Sequence, residues 1–136
     1  MEILVIDAQG GGIGKQIIAA LKDAVPAAVI TAVGTNTAAT AAMLKAGADK
    51  AATGENAVLV NCRRADLIIG PIGIVIADAL LGEITPAMAV AVGQSSAKRI
   101  LIPVNACDNF VAGVSDIRMT SLITATVARV TELFGN

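Results

Sequence analysis

The sequence predicts an α/β domain with a mostly parallel sheet, on three observations. Short apolar runs alternate along the chain with Ala-rich stretches of helical character. The clearest run, Ile3-Leu4-Val5-Ile6, is apolar at consecutive positions, as a strand covered on both faces must be. Segments rich in Gly, Asn and Thr follow the apolar runs and lead into the next element.

Element by element, Ile3–Ile6 is the first strand, and Gly14 to Asp23 is a helix ended near Pro26. Val29 to Val33 is a second strand. Thr37 to Ala46 is a helix closed by Gly47 at its C′ position. Ala51-Ala52-Thr53 reads as a short third strand, Glu55 to Arg64 as a helix, and Asp66 to Ile69 as the start of a fourth strand. Gly73 to Leu81 and Pro86 to Ala97 are predicted helices, broken at Gly82-Glu83-Ile84-Thr85, with Thr85 as N-cap and Pro86 as first helical residue. Ile100 to Val104 is a fifth strand, and Phe110 to Val114 a candidate sixth. Ser115 to Phe134 is an amphipathic helix with Met119, Leu122, Ile123, Val127, Val130, Leu133 and Phe134 on one side. The expected product is a single Rossmann-like three-layer domain over residues 1–136, with five or six strands and right-handed crossovers.

Composition narrows the function. The chain has 136 residues, 55% hydrophobic and 15% charged, with a formal net charge of −1. That excludes intrinsic disorder and a basic nucleic-acid arm. Trp and Tyr are absent and Phe occurs twice, so no aromatic platform for stacking bases exists. His is absent, which removes the commonest general base and metal ligand. A core can form without disulfide or metal, and the surplus apolar surface predicts a homo-oligomer. The uncharged run from Ala24 to Leu44 is long enough for a membrane span, but it centres on Gly34-Thr35-Asn36-Thr37, which is turn chemistry. Met1-Glu2-Ile3-Leu4 has no basic region of a signal peptide. Cys62 and Cys107 read as reduced thiols, too far apart to pair. The expected location is cytoplasmic.

In a parallel sheet all strand C-termini share one edge, and ligands bind outside that edge where strand order reverses. The segments falling there are Asp7-Ala8-Gln9-Gly10-Gly11-Gly12-Ile13-Gly14-Lys15, Gly34-Thr35-Asn36-Thr37, Thr53-Gly54-Glu55-Asn56, Gly70-Pro71-Ile72-Gly73 and Asn105-Ala106-Cys107-Asp108-Asn109. Helix N-termini and glycines together suit an anion that approaches the main chain. The run Gly10 to Gly14 is longer than a turn needs.

The first loop departs from each standard phosphate motif. Aligned on Gly11 and Gly14, the dinucleotide pattern G-x-G-x-x-G needs Gly at position 9, where Gln9 stands. The acid expected at the end of the second strand is replaced by Val33-Gly34-Thr35-Asn36. Walker A fails at position 9 and at Gln16. The locus is closer to the deviant Walker A loop of ParA and MinD class ATPases, matching at Gly11, Gly12, Gly14 and Lys15 and departing at Gly10 and Gln16.

Most cations need no functional reading. Lys22, Lys45, Arg63, Arg64, Lys98 and Arg99 fall at or beyond predicted helix C-termini, where they complement the macrodipole. Lys15 and Arg118 stand in first turns, where a cation opposes it; a bound anion accounts for Lys15. Asp7, ending a buried strand, requires hydrogen bonds from the Gly loop, a ligand or a cation. Mg²⁺ shared with Glu55 or Asp108 is the cation version, without a metal-ligand motif behind it. Asp78 and Glu83 read as interface or pocket residues.

Several stretches resemble one short bacterial family: Val5 through Lys15, Ala32-Val33-Gly34-Thr35-Asn36, Ala46-Gly47-Ala48-Asp49, Thr53-Gly54-Glu55-Asn56, Ile69 through Val75, and Gly82 through Met88. This is the domain-of-unknown-function family 3842, and the resemblance covers nearly the whole chain. It implies a cytosolic bacterial protein and carries over no catalytic residue.

The expectation is a protein that binds a phosphorylated small molecule, NAD(P) or a mononucleotide foremost. Its site is Asp7, Gln9, Gly10, Gly11, Gly12, Ile13, Gly14 and Lys15, with Gly34, Thr35, Asn36, Glu55, Asn56, Gly70, Pro71, Ile72, Gly73 and Asn105. The competing expectations are a non-catalytic regulatory or homo-oligomeric module, and a nucleotide-dependent enzyme completed by a neighbouring subunit.

Overall fold

The computed structural model describes residues 1–104, 109–114 and 118–134. Strands β1 (Glu2–Asp7), β2 (Val29–Gly34), β3 (Lys50–Thr53), β4 (Leu67–Pro71) and β5 (Lys98–Ile102) form one sheet in the order β3-β2-β1-β4-β5. Every pairing is parallel. Helices α1 (Gly12–Ala24), α2 (Thr37–Lys45), α3 (Glu55–Cys62), α4 (Pro86–Gln94) and α5 (Met119–Phe134) cover it, with a 3-10 turn at Ile72–Val75.

Alternate residues of each central strand feed two separate cores. Ile3 and Val5 join Ile30, Ala32, Leu67 and Ile69 under α1, α2 and α5, through Ile17, Ile18, Leu21, Met43 and Val130. Leu4 and Ile6 join Val33 and Ile68 under α3, the 3-10 turn and α4, through Val58, Cys62, Ile74, Met88 and Val92. Both faces of β1 are therefore apolar, which is why its sequence shows no alternation. Helix ends follow local chemistry. Asn36 caps α2 through Ala39 N, and Thr85 caps α4 through Met88 N with Pro86 first in the helix. Gly47, at φ 120°, closes α2: its N–H reaches Leu44 O while Ala48 N reaches Met43 O, the Schellman pattern.

Three expectations are corrected. Gly73 to Leu81 is not an α-helix: after Ile72–Val75 the chain runs through turns to Glu83. The β-branched run Ile74-Val75-Ile76 disfavours helix, and burial of Ile74, Ala79, Leu80 and Ile84 folds the segment back onto the second core. Phe110 to Val114 is a turn rather than a sixth strand. Gly113 has φ 85°, Val114 N bonds Val111 O, and Phe110 is 97% exposed. Lys98 and Arg99 open β5 instead of ending a helix, because α4 stops at Gln94. Arg99 still reaches back to the Val92 and Ser95 carbonyls. The first residues of the predicted last helix, 115–117, lie outside the described residues, and α5 begins at Met119.

Candidate functional site

Strand order reverses beside β1: the chain builds leftward through β2 and β3, then crosses to β4 and β5. The loops leaving β1 and β4 diverge there, which opens a crevice at the carboxyl edge. Its volume is about 250 Å³, and it is lined by Asp7, Ala8, Gln9, Gly10, Gly12, Ile13, Gln16, Pro71 and Leu80.

Asp7 forms the base of this site. It is 3% exposed, and its two carboxylate oxygens accept from Ala8 N (2.8 Å) and Gly14 N (2.7 Å). The carboxylate thus caps α1, whose own N-cap residue, Gly11, offers no side chain. Burial pushes its carboxyl above the ordinary range, against the pull of the N–H groups of Gly14, Ala8 and Ile13; the charge of Glu83 adds to the rise.

The glycines of the site are of two kinds. A Cβ on Gly11 would lie 2.9 Å from the Ala39 backbone; on Gly14, 2.5 Å from Met43 Sδ. On Gly34 it would lie 2.5 Å from Thr40 N, and on Gly70, 2.5 Å from Ile6 O. These four let α1, α2 and β4 pack around β1. Gly10 and Gly12 differ. A Cβ on either meets nothing within 4 Å, and neither has a positive φ. No packing or backbone requirement of the described residues calls for glycine there. Their N–H groups donate to no protein acceptor among the described residues.

Glu83, which the sequence offers as an interface or pocket residue but not as part of the predicted binding set, is a functional candidate. Its Oε1 accepts from Thr35 Oγ1 (2.6 Å), Asn36 Nδ2 (2.8 Å) and Gln9 N (2.9 Å). Burial pushes its carboxyl up, but the donors of Thr35, Gln9 and Asn36 outweigh it and hold the group below the ordinary range. It stands beside the end of β2, where the sequence has no acid of its own. The only sequence signal was the Gly82-Glu83 break between two apolar stretches. Leu80, Ala8 and Gln16 also line the crevice without having been assigned to it.

The remaining assigned residues divide. The structure brings Asp7, Gln9, Gly10, Gly12, Ile13 and Pro71 together in the crevice, with Gly11, Gly14, Gly34 and Gly70 as packing around it. Thr35, Asn36 and Glu83 bond one another beside the crevice without lining it; Glu83 and Asn36 join it through the Gln9 backbone. Gly73 is buried against Ala79 and Leu80, and Ile72 does not line the crevice. Lys15 is exposed and points no group into the lining; Gln16 stands there instead. Glu55 accepts from Thr85 Oγ1 (2.5 Å), and neither it nor Asn56 lines the crevice. Asn105, Cys107 and Asp108 lie outside the described residues. Among the described residues no three His, Cys, Asp or Glu side chains gather closely enough for a metal ion. Cys62 is a buried free thiol on the opposite edge, pushed up to about 11 by burial. No described helix is long and apolar enough to cross a membrane.

The family model Domain of unknown function (DUF3842) matches residues 2–135. The chain belongs to this family. No curated protein matches this DUF3842 member. Among solved structures, it is similar to a dodecameric FMN-dependent Ubix-like decarboxylase from Escherichia coli O157:H7, at 16% identity and a TM-score of 0.45. That likeness covers 100% of the DUF3842 chain and 95% of the other.

Proposed function

We propose that this protein binds a nucleotide, dinucleotide or other phosphorylated small molecule in the crevice between the β1 and β4 loops. The observation that carries the reading is the pair Gly10 and Gly12. Glycine loses more conformational freedom on folding than any other residue, and that loss applies to Gly10, in the turn before α1, and to Gly12, which opens it. Here neither φ nor a packed neighbour recovers it. A ligand lying on the main chain does, because a Cβ would hold it away from the N–H groups. Position in the sheet agrees, since the crevice stands at the reversal of strand order. Asp7 takes the N–H groups of Ala8 and Gly14, so the proposed phosphate contacts are the N–H groups of Gly10 and Gly12, which no described acceptor takes.

Thermal-shift and calorimetric titrations with NAD, NADP, ATP, AMP, GMP, FMN and sugar phosphates test this. At least one is expected to bind, with Gly10→Ala and Gly12→Ala losing about tenfold in affinity while folding normally. Failure of the whole panel, or equal affinity in both variants, overturns the reading.

A second reading, a homo-oligomeric module, is favoured by Leu81, which is 95% exposed at the tip of the 76–84 turn. Sedimentation of wild type and Leu81→Ser tests it: dissociation of an oligomer supports it, and a monomeric wild type ends it.

A further inference from the structure

We propose that Glu83 accepts the ribose 2′-hydroxyl of a bound nucleotide, so that the site takes nucleotides with a free 2′-hydroxyl and rejects those phosphorylated there. This rests on the nucleotide reading above and names its ligand class more closely.

In open α/β sheets that bind dinucleotides, an acid at the end of the second strand accepts the ribose hydroxyls, and a 2′-phosphate requires a cation there instead. Here β2 ends in Gly34, followed by Thr35 and Asn36, and offers no carboxylate. The carboxylate arrives from a distant turn. Thr35 Oγ1 and Asn36 Nδ2 hold it at the end of β2, and Gln9 N holds it at the β1 loop. Gln9 also lines the crevice, and so does Leu80, three residues before Glu83. Glu83 itself does not line the crevice; its carboxylate stands one hydrogen bond behind the lining, on the Gln9 side, next in sequence to the Gly10 and Gly12 main chain.

All three donors bond one oxygen, Oε1. Oε2 accepts no hydrogen bond among the described residues and has the capacity for a sugar hydroxyl. The supporting turn is a fixed mount rather than a swinging arm. Ile84 is buried, Asp78 N bonds Ile84 O (2.7 Å), Gly82 N bonds Asp78 O (3.1 Å), and Ile84 N bonds Ala79 O (3.2 Å). A preorganised carboxylate of this kind discriminates by charge: a hydroxyl donates to it, and a phosphate is repelled.

Calorimetry on the full chain tests the proposal with AMP against 2′-deoxy-AMP and NAD against NADP, in wild type and Glu83→Gln. Wild type is expected to bind AMP about tenfold tighter than 2′-deoxy-AMP, and NAD at least tenfold tighter than NADP. Both ratios should fall toward one in Glu83→Gln, which keeps the acceptor for Thr35 and Asn36 and loses the charge. Equal wild-type affinities within either pair overturn this inference and leave the nucleotide reading standing. So does Glu83→Gln binding AMP and inorganic phosphate more tightly than wild type, because Glu83 would then be an internal occupant of the anion site. A wild type that binds neither AMP nor NAD overturns this inference. Binding of the other ligands in the panel then decides the broader reading.

Discussion

Gly11, Gly14, Gly34 and Gly70 stand against their neighbours with no room for a methyl group, whereas Gly10 and Gly12, in the same loop as the first two, face open space. One residue type thus serves two ends within five positions. The tight set lets helices and strands close around β1, and it would be needed in a protein of this fold with no ligand at all. The open set has no such use. A Gly-rich loop is therefore evidence of a binding site only at the positions where the fold does not itself demand glycine.

The largest expected effect tests the tight set. Gly34→Ala and Gly70→Ala place a Cβ 2.5 Å from backbone atoms that cannot step aside, Thr40 N and Ile6 O respectively. Each is expected to cost about 3 kcal/mol in urea unfolding, the upper range for overpacking. A cost under 1 kcal/mol in either would break the distinction. Next comes the carboxylate that the tight glycines enclose. Asp7→Asn keeps one acceptor and turns an amide N–H₂ toward a backbone donor, so a loss of about 2 kcal/mol is expected.

The pH dependence sharpens this. The Asp7 carboxyl is raised by burial, so its native form holds the proton more tightly than the unfolded chain does. Its contribution to stability declines as pH rises above the ordinary value of 3.8, and the Asp7→Asn defect should shrink over that interval. Asp49 behaves oppositely. The Ile30 N–H and Lys22 hold it below 3.8, so its contribution is present above that pH and disappears as pH falls through its native value. Unfolding of wild type, Asp7→Asn and Asp49→Asn across pH 3–6 checks both signs.

The smallest effects on stability belong to the open set. Gly10→Ala and Gly12→Ala should fold as well as wild type, or gain about 0.5 kcal/mol from a less flexible unfolded chain. Loss of ligand affinity without loss of stability is their expected signature. Lys15→Ala, at an exposed position outside the crevice lining, should change neither property by more than about 0.5 kcal/mol.

Much of this was legible in the sequence. The consecutive apolar residues of β1 and β4 announced a sheet buried on both sides, and the glycine-bearing ends of β1, β2 and β4 do lie at one edge. The place of Asp7 at the end of a buried strand predicts donors from the Gly loop, a ligand or a cation, and the N–H groups of Ala8 and Gly14 are donors to it. What sequence could not separate was a glycine that packs from one that does not, because that depends on Ala39, Met43, Thr40 and Ile6 arriving from elsewhere in the chain. For the same reason the sequence leaves Glu83 undecided between interface and pocket. Its partners Gln9, Thr35 and Asn36 are 47 to 74 residues away. The segment before it is apolar enough to read as a helix, but its β-branched run Ile74-Val75-Ile76 disfavours one, and burial of Ala79, Leu80 and Ile84 folds it into the mount for an acid.

The reversal of strand order beside β1 has a mechanical consequence. It joins two contiguous stretches of chain, β1 through α3 and β4 through α5, along a seam formed by the β1–β4 pairing and by the packing of α1 on α5 and α3 on α4. The crevice straddles that seam, with Gly10 and Gly12 on one bank and Pro71 and Leu80 on the other. A molecule held there would staple the two stretches together, raising the cost of their separation by RT ln(1 + [L]/Kd). Amide exchange along β1 and β4 should slow together when the site fills, more than exchange in β3 at the far end of the sheet.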